Sequence, residues 1–227
     1  MPPALHSVRL LLIRHGQAGG NGVAYGPDAP LTEQGHRQAD YIANALLTAG
    51  VSHVVSSPFR RALETAQATA ARIDRQVSLD DRLTEFRMGG ESTSTIGQII
   101  GEKQYLRLWR PHHSLGEHGE TLGRFQERVS AALSDLASAG EREPREREAP
   151  VSIAVFTHGG TIAAAMRWAY GLTPEHDWHS DVEIHNASIT EVEHWPRGRH
   201  PAGAPHATAL HRLNDVRHLP TNLVTDY

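Results

Sequence analysis

Cysteine is absent from the 227-residue sequence, and lysine occurs once, at Lys103. The lack of cysteine excludes disulfide bonds, thiolate metal sites and a cysteine nucleophile. No apolar run approaches the ~18 residues that a membrane-spanning helix needs, so we expect no membrane partner. The first seven residues show no basic stretch ahead of an apolar one, which argues against a secretory signal peptide. We therefore expect a cytoplasmic protein.

Positive charge is carried almost entirely by arginine, and histidine is abundant, with 16 residues. The formal net charge is −4, which argues against nucleic acid as a partner because nucleic-acid-binding domains are usually basic. Arginine presents a rigid fork of donors that suits phosphate. Histidine can act as a nucleophile, a general acid or a metal ligand. Composition alone does not choose among these roles.

Short apolar segments alternate with amphipathic segments along most of the chain. Helical spacing of apolar residues predicts helices that begin at Thr32 and Pro58 and that cover 121–137 and 161–170. Strands alternating with helices predict an α/β fold, a three-layer α/β/α sandwich with a mainly parallel central sheet. The segments expected to form strands are 8–13, 53–56, 77–79, 151–157, 189–195 and 209–214.

The length of the chain suits a single domain over residues 1–227. Residues 86–120 are irregular, first rich in glycine, serine and threonine and then in aromatic residues and histidine. We interpret them as an insertion over the active site, with a short helix around 96–108. Residues 140–150 carry many charges of mixed sign, which predicts a solvated linker.

Polar residues of related kinds follow three of the predicted strands. Arg14 and His15 follow the first strand, Arg61 lies shortly after the second, and His158 and Gly159 follow the strand at 151–157. Ligands of open α/β sheets bind beyond the carboxyl ends of the strands. If these strands are neighbours, two arginines and two histidines converge on one crevice. The sequence therefore predicts an anion pocket with imidazoles at its centre.

Six motifs, in a fixed order, connect this pattern to a known family. They are Arg14-His15-Gly16-Gln17 with Asn21, Leu31-Thr32-x-x-Gly35-x-x-Gln38-Ala39, Ser56-Ser57-Pro58-x-x-Arg61-Ala62-x-x-Thr65-Ala66, Leu83-x-Glu85, His118-Gly119-Glu120 with Phe125 and Arg128, and His158-Gly159-Gly160-x-Ile162. The chain resembles the histidine phosphatase superfamily, whose best-known branch is phosphoglycerate-mutase-like. The resemblance implies a phosphoglycerate-mutase-like fold.

The same resemblance implies roles for the residues at the strand ends. His15 would be the nucleophile that becomes phosphorylated, a step that a neutral imidazole can perform. Arg14, Arg61 and His158 would bind the phosphoryl oxygens and stabilise the transition state. Glu85 would donate a proton to the leaving group and later accept one from water. These groups already supply positive charge, so we expect neither a metal nor a cofactor.

Other residues extend the resemblance to the family or depart from the family pattern. Asn21, Gln17 and Gly159 are candidates for binding the substrate. Ala18 stands where many family members have serine or threonine, so one hydroxyl contact to the phosphate is missing. No tryptophan follows Glu85, although family members often have Gly-x-Trp-Glu-Gly there, and Asp80 and Asp81 therefore remain alternative acids. Glu120 is equally compatible with a structural role at a helix start and with ordering of the pocket.

Three functions remain in competition at this point. The first is a phosphomonoester hydrolase that acts through a phosphohistidine on a small phosphorylated metabolite. The second is a phosphoglycerate mutase-type isomerase, which the loss of a hydroxyl at Ala18 disfavours. The third is a non-catalytic phospho-ligand binder on the same fold. The oligomeric state stays open, with a homodimer among the options.

Overall fold

The computed structural model describes residues 6–19, 29–87, 111–112, 114, 118–143, 149–178, 182–196 and 208–225. Within these ranges a six-stranded sheet is flanked by helices. The strands are β1 (Val8–Arg14), β2 (Val51–Ser56), β3 (Val77–Leu79), β4 (Val151–Thr157), β5 (Ile189–His194) and β6 (Thr208–Asp215). The helices are α1 (Glu33–Leu46), α2 (Arg60–Arg72), α3 (Leu122–Glu141) and α4 (Gly159–Ala169), with short 3-10 turns at Asp81–Leu83 and Thr221–Leu223.

The sheet has the strand order β3-β2-β4-β1-β5-β6. Strands β1 to β4 run parallel, and β5 and β6 are antiparallel to their neighbours. The predicted mainly parallel sheet is therefore confirmed. The pairing sets Arg14 opposite Thr157 and Phe156 opposite Ser56. The carboxyl ends of β1, β4 and β2 consequently lie side by side, which brings the loops that follow them together.

Apolar side chains fill both faces of the sheet. In β1, Leu10 and Leu12 pack with residues of α3 and α4, whereas Leu11 and Ile13 pack with residues of α1 and α2. A strand covered on both faces has no solvent-facing side, so residues 10–13 of β1 form a continuous apolar run and not an alternating pattern. This arrangement confirms the predicted α/β/α sandwich.

A local capping signal marks the start of α1, whereas the bounds of α3 and α4 differ from those that the sequence predicts. The Thr32 side chain accepts a hydrogen bond from the backbone N–H of Gly35, which caps α1 as the sequence predicts. Helix α3 continues to Glu141 and so runs into the predicted linker, because Gly140 packs directly against Val8. Helix α4 begins at Gly159, two positions before the predicted start, with His158 at the N-cap.

Most of the predicted insertion at 86–120 lies outside the described residues, as does the helix expected around 96–108. Its position over the active site and the single-domain boundary stay predictions. No helix within the described ranges is long and apolar enough to cross a membrane.

Candidate active site

His15 lies directly after β1, and backbone hydrogen bonds hold it on both sides. Its N–H donates to the carbonyl of Thr157 on β4 at 3.0 Å, and its own carbonyl accepts from the N–H of Ala187 at 3.1 Å. The next residue, Gly16, donates its N–H to the hydroxyl of Thr65 on α2. The loop after β1 is thereby tied to β4, to the segment before β5 and to α2.

The imidazole of His15 is held in one neutral tautomer. Its Nδ1 lies 2.7 Å from the carbonyl oxygen of Gly16, which can accept a hydrogen bond but not donate one. Its Nε2 accepts a hydrogen bond from Nε–H of Arg61 at 3.1 Å, and a guanidinium can donate but not accept. The proton therefore resides on Nδ1, and Nε2 carries the lone pair.

Arg61 reaches His15 from the first turn of α2. Its side chain is buried, with 2% of its surface exposed, and its guanidinium carbon lies 5.2 Å from the ring centre of Phe59. The adjacent Arg60 instead pairs with Glu64 and leaves 56% of its side chain exposed. Helical geometry separates neighbouring side chains by about 100°, so two successive arginines face opposite environments.

His158 occupies the corresponding position after β4 and is fully buried. Its ring packs edge-on against the ring of His15, with the centres 5.2 Å apart. Its Nε2 lies 2.8 Å from the hydroxyl of Ser57, whereas its Nδ1 has no hydrogen-bond partner among the described residues. The Ser57 hydroxyl also accepts from the N–H of Phe59. Nδ1 of His158 is therefore a buried ring nitrogen that is not used by the described part of the fold.

Burial and neighbouring arginines keep both imidazoles neutral. Burial lowers the pKa of His15 well below its ordinary value, and the charges of Arg61 and Arg14 lower it further. The pKa of His158 is also well below its ordinary value, first because of burial and then because of His15 and the arginines. An imidazole that stays unprotonated retains a lone pair for nucleophilic attack at neutral pH.

Arg14 and Gly159 face each other at the ends of the central strands. The guanidinium of Arg14 donates to the carbonyl of Ile184, and a Cβ placed on Gly159 would lie 3.7 Å from Nε of Arg14. Gly159 is also the first residue of α4, where backbone N–H groups have no partner within the helix. Such a helix start favours anions.

Glu85 approaches the start of α4 from the segment after the 3-10 turn. Its Oε2 accepts from the N–H of Gly160 at 3.0 Å, and its Oε1 accepts from the N–H of Phe86 at 2.8 Å. A Cβ on Gly160 would collide with Oε1, so this glycine makes room for the carboxylate. The carboxyl group of Glu85 is thus hydrogen-bonded to the residue that follows Gly159.

The alternative acid Asp80 has a different environment. Its carboxylate accepts hydrogen bonds from the side chain and the backbone N–H of Arg82, which lower the pKa of Asp80. Asp81 begins the 3-10 turn and is exposed. Within the described residues, neither carboxylate accepts a hydrogen bond from the start of α4, whereas that of Glu85 does, and this geometry favours Glu85 as the candidate acid.

Of the three candidate substrate-binding residues, the structure describes Gln17 and Gly159 but not Asn21. Gln17 has its side-chain oxygen 2.8 Å from the hydroxyl of Thr32, so part of its amide is used within the scaffold. A cavity of about 440 Å³ borders Gln17, Thr32 and Arg37, but neither His15 nor His158 lines it. Asn21 lies outside the described residues. The substrate roles of Asn21 and Gln17 stay predictions.

Sequence reasoning assigned no role to Ser57. The signal was present, since Ser57 directly follows β2 in the same way that His15 and His158 follow their strands.

Among the described residues, no group of three histidine, aspartate or glutamate side chains could hold a metal ion. The arrangement instead presents a neutral imidazole lone pair, two guanidinium groups, a helix start and a carboxyl group. Together they suit the binding of a phosphoryl group and attack on it.

Comparisons with known proteins agree with this class of site. The family model for the histidine phosphatase superfamily (branch 1) matches residues 10–202. The chain belongs to this superfamily.

Two curated relatives carry different activities in their names. A putative phosphoserine phosphatase 2 from Hydrogenobacter thermophilus is 30% identical over 191 residues, which cover 81% of this chain and 88% of the relative. A probable phosphoglycerate mutase from Yersinia enterocolitica is 25% identical over 193 residues, covering 82% and 85%. A solved mycobacterial glucosyl-3-phosphoglycerate phosphatase, in complex with inorganic phosphate, superposes with a TM-score of 0.74. It is 25% identical, and the match covers 94% of this chain and 100% of that one.

Proposed function

We propose that the protein is a phosphomonoester hydrolase that acts on a small phosphorylated metabolite through a phosphohistidine at His15. The observation that carries the proposal is the single neutral tautomer of His15. Its Nδ1–H donates to the Gly16 carbonyl, which leaves the Nε2 lone pair beside the Arg61 guanidinium. The names of similar proteins add support, since they include phosphatases of phosphoserine and of glucosyl-3-phosphoglycerate.

In the first step, Nε2 of His15 attacks phosphorus, and the bond between phosphorus and the substrate oxygen breaks. The imidazole ring gains positive charge as it becomes phosphorylated. The Gly16 carbonyl stabilises this charge because it already accepts the Nδ1 proton. Arg14, Arg61 and Nδ1–H of His158 donate to the phosphoryl oxygens, whose charge they stabilise in the transition state.

Glu85 supplies and recovers the proton. It donates a proton to the leaving alkoxide in the first step, because an alkoxide is a poor leaving group. The resulting carboxylate then takes a proton from water, whose oxygen attacks the phosphorylated His15. The nitrogen–phosphorus bond breaks, inorganic phosphate leaves, and Glu85 is again protonated. No metal or cofactor takes part in either step.

A phosphoglycerate mutase on this fold must keep the phosphorylated imidazole away from water and transfer the group back to an intermediate. Ala18 bears on this alternative. It is 6% exposed and packs against Leu31 and Ala39, so a buried methyl group stands where a hydroxyl contact to the phosphate is expected. The missing contact favours hydrolysis over retention of the phosphoryl group.

The proposal keeps two wider expectations from the sequence. The partner is a small phosphomonoester and not nucleic acid or membrane, and the protein acts in the cytoplasm.

The test is a screen for phosphate release from phosphomonoesters, including phosphoserine and 3-phosphoglycerate, with a mutase assay on 3-phosphoglycerate alongside. We expect phosphate release that persists in excess chelator and that disappears in the His15→Asn variant. Isomerisation of 3-phosphoglycerate without phosphate release would replace the hydrolase by the mutase. The absence of both reactions, together with tight binding of inorganic phosphate, would favour a non-catalytic binder.

A further inference from the structure

Arg128, on α3, uses every N–H of its guanidinium group. Its Nε and Nη2 donate to the two carboxylate oxygens of Glu120, at 2.6 and 2.8 Å. The remaining donors go to three backbone carbonyls, those of Arg82 at 2.7 Å, Thr84 at 2.8 Å and Glu85 at 3.0 Å. A guanidinium has five N–H groups in a fixed plane, so these partners define its position completely.

The carbonyls that Arg128 binds belong to the segment that carries Glu85. The one carbonyl of residues 82–85 that Arg128 does not reach, at Leu83, accepts from the hydroxyl of Thr157 at 2.7 Å. The carbonyl of Thr84 accepts a second bond, from the hydroxyl of Thr161 on α4. The backbone of the acid is therefore tied to α3, β4 and α4.

Glu120 completes this arrangement on the far side of Glu85. Its backbone N–H donates to the carbonyl of Arg87 at 2.8 Å, and its carboxylate accepts from the N–H of Arg87 at 3.3 Å. The ion pair with Arg128 is mostly buried, with 16% and 12% of the side chains exposed. The guanidinium also lies 4.8 Å from the ring centre of Phe125. Backbone groups on both sides of Glu85 thus make hydrogen bonds to this ion pair.

We propose that Arg128 and Glu120 are positioning residues that hold Glu85 at the distance from the substrate oxygen that proton transfer requires. This inference rests on the proposed hydrolase function. Proton transfer depends on hydrogen-bond reach between the acid and the leaving oxygen. A displacement of about 1 Å can lower a rate about 10²-fold, so fixing the backbone of the acid has a direct kinetic effect.

The test compares Arg128→Gln with the unmodified enzyme on an alkyl phosphate and on an aryl phosphate, with kcat/KM as the measurement. An aryl oxide leaves without much help from an acid, whereas an alkoxide needs the proton from Glu85. We expect Arg128→Gln to lower kcat/KM about 10²-fold on the alkyl substrate and far less on the aryl substrate. In a Glu85→Gln background, Arg128→Gln should have no further effect on the alkyl substrate, because the proton donor is already absent.

Two further variants serve as a control and as a replacement in this test. Arg124→Gln removes an exposed arginine one turn earlier on α3 and should leave both substrates unaffected. Glu120→Gln weakens the same ion pair, and it replaces Arg128→Gln in the comparison if that variant does not fold.

Equal losses on both substrates, or a loss that adds to that of Glu85→Gln, would overturn the positioning role and leave the hydrolase in place. An unmodified enzyme that releases phosphate from neither substrate would overturn the proposed function and this inference together.

Discussion

Nε–H of Arg61 donates to Nε2 of His15 at 3.1 Å, within a region where both side chains are buried. This bond orients the Nε2 lone pair of His15 and disfavours the tautomer that carries its proton on Nε2. When a phosphoryl group enters, the guanidinium can turn its donors to the phosphoryl oxygens and release the lone pair for attack. In the proposed reaction, one arginine therefore orients the nucleophile before attack and stabilises the developing charge during it.

Arg61→Gln should lower kcat/KM for phosphate release by roughly 10²–10³-fold, because it removes a charged donor from the transition state. Arg60→Gln is the matched control, since Arg60 is the adjacent arginine but pairs with Glu64 at the surface. The control should stay close to the unmodified enzyme. If the two variants lose activity equally, Arg61 has no special place in the reaction.

Ser57→Ala should disturb His158 in two ways. The loss of the hydroxyl leaves Nε2 of His158 buried without its partner, which should lower the free energy of unfolding by about 1–3 kcal/mol. It also removes the group that favours the proton on Nδ1. Ring-nitrogen chemical shifts, measured by NMR with inorganic phosphate bound, should show that proton on Nδ1 in the unmodified protein. A proton on Nε2 alone would contradict the role given to His158.

Glu85→Gln should abolish proton transfer while leaving the proposed nucleophile, His15, unchanged. Glutamine keeps the size of the side chain but has no proton to transfer, so kcat/KM on an alkyl phosphate should fall roughly 10²–10⁴-fold. On an aryl phosphate the fall in kcat/KM should be small, and the phosphorylated enzyme should accumulate because water is no longer activated. Equal losses on both substrates, with no accumulation, would move the acid role to another residue.

Acid pH should destabilise the fold through the two central histidines. Their pKa values are lowered in the folded protein, first of all by burial, so the unfolded chain binds more protons below about pH 6.5. The free energy of unfolding should therefore be highest above that pH and should fall as the pH drops, by up to about 1.4 kcal/mol per pH unit for each histidine. The His15→Asn variant should show a shallower fall in denaturant titrations at pH 7, 6 and 5. Parallel curves for the two proteins would contradict the neutral state of His15.

The sequence was sufficient to predict the layers of the fold and the convergence of Arg14, His15, Arg61 and His158. Both predictions follow from short-range patterns, since buried strands are apolar throughout and the ends of parallel strands meet at one edge. The register, which sets Arg14 opposite Thr157, brings the ends of β1 and β4 together, and His15 and His158 follow them directly. Neighbouring arginines were also separable, because the family motif places the second one, Arg61, at the site.

The tertiary partners were beyond sequence reasoning. Nothing local indicates that Glu120 meets Arg128, or that Arg128 reaches the carbonyl of Glu85 across 43 positions of chain. The sequence places the end of α3 too early, at residue 137 instead of Glu141, for a similar reason. Gly140 continues the helix because it packs against Val8, a contact that depends on the assembled sheet. Local propensity disfavours glycine within a helix, and tertiary packing overrides it here.

The central claim is that His15 carries the phosphoryl group, and trapping that intermediate tests it most directly. The Glu85→Gln variant would be mixed with an aryl phosphate, quenched at alkaline pH and mapped by peptide mass spectrometry. The account predicts a phosphoryl group on His15, none on His158, and none anywhere when His15→Asn is added to the same variant. Near-normal phosphate release by His15→Asn on its own, or turnover with the phosphoryl group on another residue, would contradict it.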